Sequence, residues 1–214
     1  MALHLWLAYV AAAFLIAVSP GSGAVLSMSH GLAYGVRKAS ATIGGLQLGL
    51  LLILLVAGAG VGSLLLASEL AFSVVKVLGA LYLIYLGWCQ WRAGGASPLA
   101  GADEVPAGSW RKRCLTGFLT NATNPQGIIF LVAVLPQFLT DARPLWSQLL
   151  VIAVTTLAVD TVVMHGYAAS ASASAMRRLL RSARAVQAQN RVFGGLLMAV
   201  GAGLFFVQRG ARHA

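Results

Sequence analysis

Ser19-Pro20-Gly21-Ser22-Gly23 interrupts the first apolar run of the chain. The run from Leu3 to Val18 should continue as a helix, and instead it meets Pro and Gly back to back. Ser19 is an N-cap type and Pro20 suits the first position of a new helix. The stretch therefore predicts one helix ending and a half-helix starting within the same span. Backbone broken in lipid is costly unless it lines a cavity or is buried in protein.

Composition supports a membrane setting for that break. The 214 residues are 59% hydrophobic and only 9% charged, against about a quarter charged in soluble domains. The net charge of +10 does not point to nucleic acid, because the basic residues lie almost entirely between apolar runs, where membrane topology places them. Met1-Ala2-Leu3-His4 lacks the basic start of a cleavable signal, so the first segment is expected to stay as a helix. Cys89 and Cys114 receive no role, and nothing implies a metal or cofactor.

Stretches at roughly 3–28, 39–66, 70–91, 115–139, 145–173 and 192–208 are apolar enough to cross a hydrocarbon core of about 30 Å. Gly94 to Gly108 reads as a loop joining two halves. Loops after the first, third and fifth spans hold Arg37 and Lys38, then Arg92, Arg111, Lys112 and Arg113, then Arg177, Arg178, Arg181, Arg184 and Arg191. The other side holds Arg143, Arg209 and Arg212, while Lys76 falls near the outer end of the third span and can snorkel. By the positive-inside rule both termini are expected outside. Met176 to Arg191 reads as a short interfacial helix or a solvated linker. Small-residue pairs at Gly31/Gly35, Gly45/Gly49 and Gly58/Gly62 suit close helix packing. Packing within one subunit is the preferred reading, with a homo-oligomer left open.

The fourth span repeats the opening pattern. Asn121-Ala122-Thr123-Asn124-Pro125-Gln126-Gly127 again sets an N-cap type before Pro, so Asn124 should cap and Pro125 should open a helix. Both breaks occupy the first helix of a three-helix half, and three crossings reverse the entry side. The expected fold is all-α: six transmembrane helices as two inverted repeats, the first helix of each broken at Pro. One membrane domain, 1–214, would comprise repeat one over about 1–92, a cytoplasmic loop over about 93–113 and repeat two over about 114–214. Two half-helix N-termini would then converge near mid-membrane and suit a small anionic group. The bland alternative is a pair of Pro kinks.

Acidic residues are few. Glu69, Asp103, Glu104 and Asp141 fall in loops or at span ends, and only Asp160 is deep in a span. A charge there costs at least about 2.5 kcal/mol on insertion scales, so Asp160 is a proton-carrying or amine-binding candidate, or else a hydrogen-bonded packing residue. His165 is expected elsewhere on that helix. Gln47, between Gly45 and Gly49, is a buried amide able to bond substrate or a neighbouring helix.

These residues resemble the LysE/RhtB amino-acid exporters. The likeness rests on Ser19-Pro20-Gly21, Gly35-Val36-Arg37, Lys76 with Gly79 to Gly87, Asn124-Pro125 and Leu135-Pro136-Gln137-Phe138. Gly45-Leu46-Gln47, Val154-Thr155-Thr156, Val159-Asp160 and the ending Arg212-His213-Ala214 are most similar to the homoserine and homoserine lactone efflux branch. The resemblance implies proton-driven efflux of small neutral amino acids or their lactones, threonine included, across a bacterial cytoplasmic (inner) membrane. Lysine and arginine exporters tend to carry acids in the second span and after the Asn-Pro. Gln47, Leu48 and Ile129-Phe130-Leu131 stand there in this sequence, so basic cargo is not expected. The substrate-binding candidates are Ser19, Pro20, Gly21, Ser22, Gln47, Asn121, Asn124, Pro125 and Gln126, with Asp160 for proton coupling. Two other classes remain to be weighed. A passive channel would need a polar stripe along several helices. An intramembrane serine protease would use Ser22 with His165, although Pro20 replaces the glycine its motif requires.

Overall fold

The computed structural model describes residue 1 and residues 3–19, 21–67, 69–95, 108–139, 143–172 and 182–206. Among them there is no strand. Helices α1 (Leu3–Val18) and α2 (Ser22–Tyr34) meet at an angle of 58°. They are followed by α3 (Val36–Ala67), α4 (Glu69–Arg92), α5 (Trp110–Ala122) and α6 (Pro125–Val134). A 3-10 turn at Leu135–Phe138, α7 (Leu145–Ser172) and α8 (Ala183–Phe206) complete the chain. Among the described residues, α3 and α7 are long and apolar enough to cross a membrane, and α1 with α2 adds a third crossing if the bent pair is one span.

Side-chain distribution is that of a protein dissolved in lipid. Val162, Leu55 and Trp146 are 72%, 63% and 70% exposed, while Ser27 and Thr42 are fully buried. Large apolar side chains facing outward are costly in water and suit a bilayer.

Local chemistry sets the joints. Gly35 at φ 76° turns α2 into α3, its N–H bonded to Gly31 O at 3.0 Å; the missing Cβ is what permits that conformation. Ser109 caps α5 by accepting from Lys112 N–H. Glycine then sets how closely the helices lie. A β-carbon on Gly49 would stand 2.6 Å from Phe118 O, and one on Gly45 would overlap the Cys114 carbonyl, so α3 and α5 run at backbone contact. Gly31 meets Ala168 of α7 in the same way. The Gly45/Gly49 pair thus packs within one subunit, as expected from the sequence. Gly35 serves the turn rather than a helix face.

The other principal contacts pair α4 with α8, α4 with α6, α3 with α7, α3 with α6, and both α1 and α2 with α7. A core of Tyr9, Leu50, Ile53, Leu83, Leu131, Leu135, Ile152 and Leu197 draws on both halves of the chain.

Several expected boundaries shift. The first apolar segment stays helical to Tyr34 rather than residue 28, because Gly35 and not composition ends it. The last helix begins at Ala183, so Arg184 and Arg191 belong to its opening turns and not to a separate interfacial helix. Residues 176–181 of that expectation lie outside the described residues, as do Asp103, Glu104, Asp141, Arg209 and Arg212. The Lys76 and Glu69 side chains also lie outside them.

Candidate functional site

Helix α1 ends on Ser19, whose N–H reaches Leu15 O at 3.1 Å and Ile16 O at 3.2 Å. The last carbonyls of a helix have no partner within it. Tyr167 of α7 supplies one, its Oη donating to Val18 O at 2.6 Å. The Ser19 hydroxyl donates to Gln90 Oε1 at 3.3 Å. Ser19 therefore closes α1 instead of capping α2, which corrects the expected cap. The N-cap of α2 is Gly21, in extended backbone with no side-chain hydrogen bond. Pro20 itself lies outside the described residues. The difference has a chemical consequence: among the described residues, no side chain caps the opening N–H groups of α2.

The second break follows the sequence expectation. Asn124 caps α6, its Oδ1 accepting from Gln126 N–H at 3.1 Å, with Pro125 in the first helical turn. The α6 N-terminus is thereby partly satisfied by its own chain, whereas that of α2 stays open. Just upstream, Asn121 Nδ2 donates to Leu46 O of α3 at 2.8 Å, which ties this break to α3.

The two breaks meet. A β-carbon on Gly21 would stand 3.0 Å from Gln126 Oε1. Ser19, Gly21, Asn121, Asn124, Gln126 and Asp160 all line one cavity of about 80 Å³. At some 10–15 Å³ per water on this measure, the space takes several waters or one small solute. Apolar walls come from Ala13, Ala17, Leu46, Leu50, Phe130, Leu131 and Met164. Asp160 is the single ionisable side chain among the lining residues, and none of them is cationic. Gln47 of α3 stands behind it, Nε2 donating to Asp160 Oδ2 at 2.7 Å.

Ser22 and Pro125 are exposed and do not line the cavity, which corrects their expected place in the binding set. Gln47 contributes through Asp160, not as a wall residue. His165 bonds Ser40 Oγ at 3.1 Å and Thr161 O at 2.8 Å. It is committed away from Ser22, so no nucleophile and base pair forms there.

An uncapped helix end and a lone carboxylate thus line one cavity of solute size. In comparison with known proteins, residues 14–208 match the LysE type translocator family. The chain belongs to this family. The homoserine/homoserine lactone efflux protein of Salmonella typhimurium is 41% identical over the full length of both chains. The counterpart in Salmonella typhi is 40% identical over the same extent. A leucine efflux protein of Enterobacter sp. is 28% identical over 94% of this chain and 95% of its own. No solved structure matches.

Four polar residues at or around this translocator's site escaped the sequence reading. Thr156 lines the cavity one turn before Asp160 and donates to Ile152 O at 2.7 Å. With that proton spent, Tyr9 is the donor in the 2.5 Å contact between Tyr9 Oη and Thr156 Oγ1. The i, i+4 spacing to Asp160 places Thr156 on its helix face and was a usable signal. Tyr9, Tyr167 and Gln90 carried none, because each acts on a residue far away in the chain.

Proposed function

We propose that the chain exports small neutral amino acids and their lactones, homoserine and homoserine lactone foremost and threonine among them, in exchange for protons. The observation carrying this reading is the shared cavity, where the uncapped N-terminus of α2 and the Asp160 carboxylate line the same space. Homoserine and its lactone share an α-ammonium and a carbonyl on the adjacent carbon. Asp160 receives the ammonium. The open N–H groups of Gly23 and Ala24, both of which line the cavity, receive the carboxylate or lactone oxygen, as helix N-termini receive anions. The absence of any cation among the lining residues suits the lactone, which has no carboxylate to pair. A basic cargo would bring a second ammonium to a site with one acid.

The proposal includes the six-span inverted architecture in a bacterial inner membrane with both termini outside. The paired contacts support it: α1 with α7 answers α3 with α5, and α2 with α7 answers α3 with α6. Proton coupling runs through Asp160, which alternates between proton and ammonium. A passive pore is disfavoured, since the polar lining residues gather at the two breaks and at Thr156 and Asp160 while Ile16, Leu46, Leu50, Phe130 and Leu131 close the remainder.

Purified protein in proteoliposomes loaded with homoserine provides the test. Efflux should accelerate under an inward proton gradient, threonine and the lactone should compete, and lysine should not. Homoserine export indifferent to the gradient would refute the coupling. No export of any amino acid would refute the function.

A further inference from the structure

The cavity has an apolar neighbour. A second space of about 10 Å³ lies between α1, α6 and α8, lined wholly by apolar side chains, among them Leu15, Phe193 and Leu197. Helix packing explains the gap. Helix α8 runs at backbone contact with α4, where a β-carbon on Gly194 would stand 2.5 Å from Gly87 O, and it touches α1 only slightly. Ile16 and Phe130 line both the small cleft and the larger cavity. These two side chains are the partition between them.

The larger cavity sits between two hydrophobic clusters. Ala24, Leu46 and Met164 belong to one, and Leu50, Phe130 and Leu131 to the other. A β-carbon on Gly23 would lie 3.5 Å from Leu46 Cδ2 and 3.7 Å from Met164 Sδ, so the first cluster flanks the open end of α2. A substrate held there by its carboxylate, and at Asp160 by its ammonium, turns its side chain toward the second cluster. Phe130 is the largest side chain of that wall. Resting on the exporter reading above, we propose that Phe130, together with Ile16, sets the upper size of the cargo. The partition admits a side chain as small as that of homoserine and turns away an aromatic or long apolar one.

Steric closure, not polar chemistry, makes this selection. Homoserine and phenylalanine carry the same ammonium and carboxylate, so the same anchors would meet both. Phe130 is 3% exposed, and the cleft behind it has the volume of about one water, too little to take the ring. It therefore cannot swing aside for a bulky cargo. Cutting the ring away joins the two spaces and leaves an apolar hole. Holes of that kind stay dry and accept an aromatic ligand. Phenylalanine as cargo brings back the ring that the truncation removes.

Counterflow in proteoliposomes, with homoserine and phenylalanine measured on the same preparation, tests this. Wild type should exchange homoserine and not phenylalanine. Phe130→Ala should raise the ratio of phenylalanine to homoserine rates about tenfold or more, since even one methylene discriminates that much in an apolar pocket. Phenylalanine should also raise the melting temperature of that variant and not of wild type. Phe193→Ala is the control: it widens the cleft from α8 but leaves the partition standing, so its ratio should stay at the wild-type value. If Phe130→Ala does not purify folded, Ile16→Ala decides. It opens the partition from α1 and should admit methionine by the same criterion. An unchanged ratio in the folded, opened variant overturns the proposal. So does an equal rise in Phe193→Ala, or ready phenylalanine exchange by wild type. Failure of the exporter reading looks different: wild type then exchanges no homoserine at all.

Discussion

Gly49→Ala tests whether the cavity is held by backbone contact between α3 and α5. The added carbon would lie 2.6 Å from Phe118 O, 2.8 Å from Ala122 N and 3.0 Å from Asn121 Cβ. The first two are backbone atoms that no rotamer can move. Restoring 3.4 Å, where ordinary contact begins, needs about 0.8 Å of separation between the helices. The Asn121 Nδ2 to Leu46 O bond would then stretch from 2.8 Å to about 3.6 Å, beyond hydrogen-bond range. Overpacking costs about 1–3 kcal/mol and the lost bond about 1 kcal/mol, so destabilisation of about 2–4 kcal/mol is expected. Asn121 and Asn124 would shift with α5, and exchange should fall well beyond what the lower stability explains. Gly44→Ala is the control, since a β-carbon there meets nothing within 4 Å. Thermal melts in detergent and homoserine counterflow in proteoliposomes read the two effects. If Gly49→Ala melts and transports like Gly44→Ala, the backbone seam is not what holds the site.

Asn124→Ala removes the cap from α6, with an expected loss of about 1 kcal/mol in the melt and recovery in Asn124→Ser. Asp160→Asn should abolish acceleration by a proton gradient, while Lys76→Gln should leave counterflow near wild type; normal gradient-driven export by Asp160→Asn would remove that residue from the mechanism. Thr156→Val strands the Tyr9 hydroxyl in the core and should cost about 1–3 kcal/mol, whereas Tyr9→Phe in the same background should regain part of it. Ser22→Ala should leave transport unchanged, and the wild type should take no fluorophosphonate label at Ser22, because His165 is engaged elsewhere.

Particular residues show where sequence reading succeeded. Asn124 before Pro125 was legible as a cap because capping involves atoms two residues apart, and the Asn124 to Gln126 bond is just that. Asp160 stood out because a lone acid in an apolar run needs a reason. Ser19 misled for the opposite cause. It has the chemistry of a cap, but Gln90, far along the chain, engages its hydroxyl, and the cap falls to Gly21. Ser22 and Pro125 stand beside cavity-lining residues in the chain, and only the tertiary structure shows that they are exposed and line no part of the cavity.

The opening Ser19-to-Gly23 stretch and its partner at Asn124-Pro125 were enough to foresee two interrupted helices in an apolar chain. Propensity, φ restriction and hydropathy act over a few residues, and those are written locally. That the breaks touch, that α2 is left uncapped while α6 is not, and that Gln47 stands against Asp160 all depend on how each helix is rotated about its axis. That rotation is set by glycine contacts such as Gly49 on Phe118 and Gly31 on Ala168, between residues distant in the chain. Interior packing decides it, since a turn of one residue about the helix axis would carry Asp160 off the cavity and away from Gln47.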